Sequence, residues 1–150
     1  MATVEGTSRE VLVALYVRDA LGVVDPSGLP RLLGTGLPEV APADPATTWG
    51  WMRWWVSIVE PGASFPAPSD ELQTAWQERM RHHLDSARNY AAVAHEARRE
   101  FAPVDSDLRI EVLPLAEWGV WWIGENVVAV DEGLRADGPA FSAALERMRD

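Results

Sequence analysis

The sequence predicts an α+β fold: a helix-rich single domain with a small three-stranded antiparallel meander and a C-terminal helix. Three observations predict it. Apolar residues recur at helical spacing through most of residues 8–101. The period then drops to two in "LRIEVLPL", where Leu108, Ile110 and Val112 point one way and Arg109 and Glu111 the other. Finally, "WGVWWIGENVVAV" reads as two short strands about a Gly124-Glu125-Asn126 turn. A chain of 150 residues has the length of one domain. It buries roughly two thirds of its unfolded surface, so its core needs no metal or disulfide.

Each element has a local reason. Thr7 and Glu10 stand at capping-box spacing and Gly22 suits a C-terminal cap, so residues 8–21 are expected to be a helix. Its apolar residues cover nearly the whole circumference, which places it centrally. The run "VLVALYV" also suits a buried strand, and the caps decide for helix. Residues 22–48 are dense in proline and glycine and read as an irregular strap pinned by Leu29, Leu32, Leu33 and Leu37. Thr47 or Thr48 can cap the next helix, residues 49–59, which Pro61 and Gly62 end. On its helical wheel Trp51, Trp54, Trp55 and Ile58 share one face, flanked by Met52 and Val59. Arg53 and Ser57 lie opposite, and Trp49 sits off the stripe.

Ser69 or Asp70 caps the clearest helix, residues 70–101, and Pro103 stops it. Its stripe runs through Leu72, Trp76, Met80, His83, Ala87, Tyr90, Ala91, Ala94, Ala97 and Phe101. Charges on the other face pair at three- and four-residue spacing. The meander covers residues 108–130, with one face packed on the helices and the other free to be wet. "DEGLRADG" is a polar connection, and Pro139 opens the final helix, residues 139–148.

Composition narrows the function. There are 23 acidic residues against 13 basic ones, a formal net charge of −10. Such a surface repels nucleic acid and anionic lipid, and it attracts a basic partner or simply keeps the protein soluble. Every basic residue is arginine and lysine is absent, which, with the many alanines, reads as the codon bias of a high-GC bacterial genome. The lack of cysteine removes disulfides, thiol nucleophiles and cysteine-based zinc sites, and fits a reducing compartment. The first residues, "MATVEGTSRE", lack the basic region of a signal peptide, and no apolar run approaches the ~20 residues that span a bilayer. With only Arg53 on its polar face, the tryptophan helix is not a membrane-surface helix. The expected location is the cytoplasm, with neither membrane nor nucleic acid as partner.

Groups that could do chemistry are scattered. His83, on the apolar stripe, could serve as a general base beside a carboxylate, or be an ordinary core histidine. Glu78, His82 and Asp85 share a helix face at metal-ligand spacing but read better as a solvated charged face. "HEARR" at 95–99 has Arg99 where a zinc-binding helix needs its second histidine, and "GTG" at 34–36 lacks the rest of a phosphate-binding loop. No catalytic residue, metal or cofactor is assigned, and the reading leans away from an enzyme.

The surplus is indole: eight tryptophans, three of them in the hairpin. Alternation points Trp118 and Trp122 one way and Trp121 the other, with Ile123. Tryptophan is a favoured interface anchor, and several left exposed would aggregate unless a partner hid them. Trp121, Trp118, Ile123 and Trp49 are therefore the candidate partner-binding residues. The function expected is that of a small acidic bacterial protein-protein interaction module: an immunity-type inhibitor, adaptor or assembly component. The alternative is a small-molecule binder or modest enzyme with a tryptophan-lined pocket near His83, in which Arg53 and Tyr90 take part. A homodimer sealed by the hairpin face is a third possibility.

Overall fold

The computed structural model describes residues 4–60, 62–63, 66, 69–96 and 109–149. In chain order the elements are β1 (Val4–Gly6), α1 (Arg9–Leu21), α2 (Pro45–Val59), α3 (Asp70–Glu96), β2 (Arg109–Leu113), β3 (Val120–Gly124), β4 (Val127–Asp131), α4 (Glu132–Ala136) and α5 (Gly138–Arg149). The fold is α+β. Ala97, Phe101, Pro103 and Leu108 lie outside the described residues.

The sheet departs from the expected meander. It is mixed and four-stranded, in the order β1-β2-β4-β3, with β1 parallel to β2, β2 parallel to β4, and only β3 antiparallel to β4. The reason lies in β4. "VVAVD" is buried at every position, and a strand apolar on both faces belongs in the middle of a sheet. A meander would have put β3 in the centre, with its bulky Trp121 and Trp122. Instead the hairpin turns β4 inward beside β2 and leaves β3 at the edge.

Both faces of β2 and β4 are covered, so the wet face that alternation suggested is confined to β3. On one side Leu113, Ile123, Val127 and Ala129 join the core formed with α1, α2 and α3. On the other, Ile110, Val112, Val128 and Val130 pack against Leu134, Phe141, Ala144 and Leu145 of α4 and α5. Arg109 and Glu111 face the first of these layers; Glu111 is 1% exposed and Arg109 is half-buried.

Several caps differ from those expected. Ser8, not Thr7, is the N-cap of α1, and Gly22 closes the helix with φ 74° in the left-handed region. A Cβ at Gly22 would also meet the Ala41 carbonyl at 2.3 Å. Asp44, rather than Thr47 or Thr48, caps α2, accepting the Thr47 N–H at 2.9 Å, with Pro45 in the first turn. α3 begins beside Ser69, whose hydroxyl accepts from Leu72 N–H at 3.3 Å. The stretch expected as a polar connection holds α4, capped by Asp131, which accepts from Gly133 and Leu134.

Candidate functional site

Two buried charged clusters hold the fold. At the N-terminus of α1 the Ser8 N–H and hydroxyl donate to Glu111 at 2.9 and 2.6 Å. Arg109 donates to the same carboxylate through Nε and Nη2 at 3.0 and 2.6 Å. A carboxylate from β2 thus caps α1 in place of the helix's own side chain and favours the positive end of its dipole. Nearby, His95 Nδ1 donates to the Thr7 carbonyl at 2.9 Å, and the Thr7 hydroxyl donates to the Val112 carbonyl at 2.7 Å.

The second cluster is Arg18, buried on α1. Its guanidinium meets Asp19 and Asp25 at 3.0 and 3.3 Å and donates to the carbonyls of Leu29 and Pro30. Asp19 in turn accepts from the Leu32 N–H at 3.0 Å. Burial pushes the Asp19 carboxyl above its usual range, against the opposing pull of Arg18. Together these groups pin the strap to α1. Both clusters spend their polar atoms on structural partners, so neither offers a free nucleophile or base. Among the described residues no group of three acidic or histidine side chains gathers to hold a metal ion.

The tryptophan helix is largely core. Trp51 is fully buried, donates from Nε1 to the Ala14 carbonyl at 2.7 Å, and stacks on Trp55 at 5.2 Å and 16°. Trp54 meets Trp76 of α3 at 6.1 Å. The two helices close on Gly50, where a Cβ would stand 2.1 Å from Trp76 Cγ.

The residues singled out for a small-molecule pocket do not converge. Arg53 lines a groove of about 470 Å³ between α2 and α3, with Trp54, Trp76 and Met80. Tyr90 lines a separate cavity of about 210 Å³; its hydroxyl donates to the Leu33 carbonyl at 2.6 Å and its ring meets Tyr16 at 5.5 Å. His83 is half-buried, lines neither, and forms no hydrogen bond with a described residue.

Among the described residues, the two exposed aromatic side chains lie on β3 and its approach. Trp118 is 66% and Trp122 41% exposed. Ile123 is buried, Trp121 is half-buried against the α1–α3 core, and Trp49 is half-buried in α2. Of the expected partner-binding residues, Trp118 therefore stands open and Ile123 does not. Trp122, which was not among them, does. The asymmetry has a cause in coverage. On the α5 side, α5 packs over β2 and β4, and among the described apolar residues of β3 it is Val120 that joins this cluster. Beside the ridge lies a shallow groove of about 550 Å³, bordered by Trp118, Val120, Leu134, Ala140, Ala144, Arg147 and Met148.

The backbone of this edge is also open. The Asp131 N–H donates to the Gly119 carbonyl at 3.2 Å, so these two form a hydrogen-bonded pair. Antiparallel pairs alternate, which makes Trp121–Ala129 the next bonded pair. Val120 and Trp122, opposite Val130 and Val128, consequently turn their N–H and C=O groups outward. No described residue hydrogen-bonds to them there. Between Arg109 and Arg135 every charged residue is acidic, and Glu117 and Glu125, which flank β3, are exposed.

No described helix is long and apolar enough to cross a membrane. Compared with protein-family models, with curated proteins and with solved structures, the chain matches none.

Proposed function

We propose that the protein acts by binding another protein through the exposed face of β3, with Trp118 and Trp122 as anchors. The observation that carries this reading is the exposure of two indoles, Trp122 on the edge strand β3 and Trp118 on the approach to it, where α4 and α5 cover β2 and β4. An indole buries about 150 Å² or more when it docks, which makes it worth keeping on a surface only where something covers it. The partner is basic: with net charge −10, encounter is accelerated by attraction, while the aromatic contacts supply affinity. In this reading the protein works in the bacterial cytoplasm as an immunity-type inhibitor, adaptor or assembly component. The lack of cysteine and the exclusive use of arginine support that setting.

The test is affinity capture from the native host lysate, with wild-type protein and a Trp118→Ala/Trp122→Ala variant in parallel. The wild type retains a stoichiometric partner and the variant loses it, an effect of about 30-fold or more in affinity for two central anchors. Equal retention by both proteins, or none by either, contradicts the reading.

One observation favours a second reading, a small-molecule binder. Arg53 and Arg88, both bordering the α2–α3 groove, form no ion pair with a described residue. The floor between them is Trp54, Trp76, Met80 and Leu84, which suits an apolar anion.

A further inference from the structure

We propose that the open edge of β3 takes an extended, basic segment of the partner as a fifth strand. Trp118 and Trp122 pack on its apolar side chains, and Glu117 and Glu125 pair with its arginines or lysines. The proposal rests on the protein-binding reading above and specifies the form and charge of what binds.

Three features converge on this occupant. The first is hydrogen-bonding capacity. Val120 and Trp122 present two N–H and two C=O groups outward in the spacing that an added strand satisfies. Native edge strands are ordinarily blunted by shortness, a bulge, lysine, proline or a covering loop. β3 is five residues long and its register shifts between Trp122 and Gly124, which limits an added strand to the stretch around Val120 and Trp122. None of the residues 118–124 is charged or proline. The second is side-chain placement. Trp122 and Val120 stand on the same face of β3, and Trp118 stands exposed beside them at the rim of the groove toward α5. Alternate residues of an added strand fall on that face and meet the indoles. The third is charge. Glu117 and Glu125 lie just beyond the two ends of β3, and no basic residue lies between them.

The same charges argue against a second copy of this chain as occupant. Antiparallel pairing of β3 with itself through both outward residues sets Val120 opposite the copy's Trp122. That register also brings Glu117 and the copy's Glu125, each just outside its strand, to the same end of the pair, and does so at both ends. Like charges directly opposite one another destabilise a strand pair. A basic segment turns both contacts from repulsive to attractive.

The experiment uses short random peptides displayed on phage and selected against the immobilised full chain. Peptides rich in arginine or lysine alternating with β-branched or aromatic residues are expected. One of them is then synthesised and measured. Its binding weakens as salt is added, and it slows hydrogen exchange at the Val120 and Trp122 amides. Val120→Pro removes an outward N–H without touching the ladder to β4 and weakens binding about fivefold. Circular dichroism checks that this variant folds; if it does not, the exchange measurement on the wild-type chain decides alone. Selected peptides that bind without protecting those amides overturn strand addition, while loss of binding in Trp118→Ala/Trp122→Ala would leave the protein-binding reading standing. Peptides that are neutral or acidic overturn the basic occupant. A dimer in sedimentation that the peptide dissociates makes the second copy the occupant and also overturns it. Failure to select any peptide overturns strand addition, and the lysate comparison then judges the broader reading on its own.

Discussion

At the scale of single residues, the fold turns on a few groups whose role only the packing shows. Gly50 is the clearest. Helix propensity favours alanine over glycine there by about 1 kcal/mol. Packing opposes it, because the new methyl would lie within 2.1–2.6 Å of three atoms of Trp76. Overpacking of this kind costs about 1–3 kcal/mol, and the contact is with a rigid, buried ring. Gly50→Ala is therefore expected to destabilise the protein by about 2 kcal/mol in urea unfolding; a gain in stability would mean that α2 and α3 do not meet at this point. Nothing in "WGWMRWW" announces the contact, since the partner ring lies 26 positions away in sequence. Glu111 was hidden for a related reason. Alternation placed it correctly opposite Ile110 and Val112, but a carboxylate on that face reads as solvated unless Arg109 and the start of α1 are known to meet it. Trp122 needed the same kind of knowledge. Its face followed from alternation, and its exposure followed from where α5 stops.

At the scale of elements, what was legible had a local cause. α1, α2 and α5 follow from apolar period and punctuation, within a few residues at their ends, and so does the start of α3, whose expected end lies outside the described residues. The strap was legible as irregular, and Leu29 and Leu32 as its pins, whereas Leu33 is exposed and Leu37 half-buried; the means by which it is held was not legible. That means is long-range: Arg18 reaches Leu29 and Pro30, and Tyr90 reaches Leu33 from α3. The tyrosine tether carries a pH signature. Burial, with Asp19 and Glu132 adding negative charge, pushes the Tyr90 hydroxyl from 10.0 up to about 12. The folded state then holds a proton that the unfolded chain gives up. Stability from this group is complete below pH 10.0 and is lost as pH rises from there toward about 12. Thermal melts taken upward in pH are expected to fall over that interval, and Tyr90→Phe is expected to remove that part of the slope. At neutral pH the same variant loses about 1 kcal/mol with the Leu33 hydrogen bond. An unchanged alkaline slope in Tyr90→Phe would show that the phenol is not held in this way. The sheet order escaped local reasoning altogether. β1 is three residues long, and parallel pairing of β2 with β4 leaves no mark in the turn between β3 and β4. The one available signal was "VVAV", whose unbroken apolar run asks for cover on both faces.

At the scale of the whole molecule, the sheet is sandwiched between a large helical layer and a small one, and the small one is too short to finish the job. α1, α2 and α3 absorb most of the indole, including all of Trp51. α4 and α5 cover β2 and β4 and leave β3 with its aromatic face and its backbone open. A chain that keeps such an edge exposed carries an aggregation hazard, which the basic partner proposed above would remove. The account therefore stands on the claim that the accessible indole of this protein is concentrated on β3 and its approach. Iodide quenching of tryptophan fluorescence tests it most directly, comparing the wild type with Trp118→Phe/Trp122→Phe. The wild type is expected to show a readily quenched fraction that disappears in the variant, while the remaining emission resists iodide. Quenching that is the same in both proteins would place the exposed rings elsewhere and contradict the assignment of β3 as the binding face.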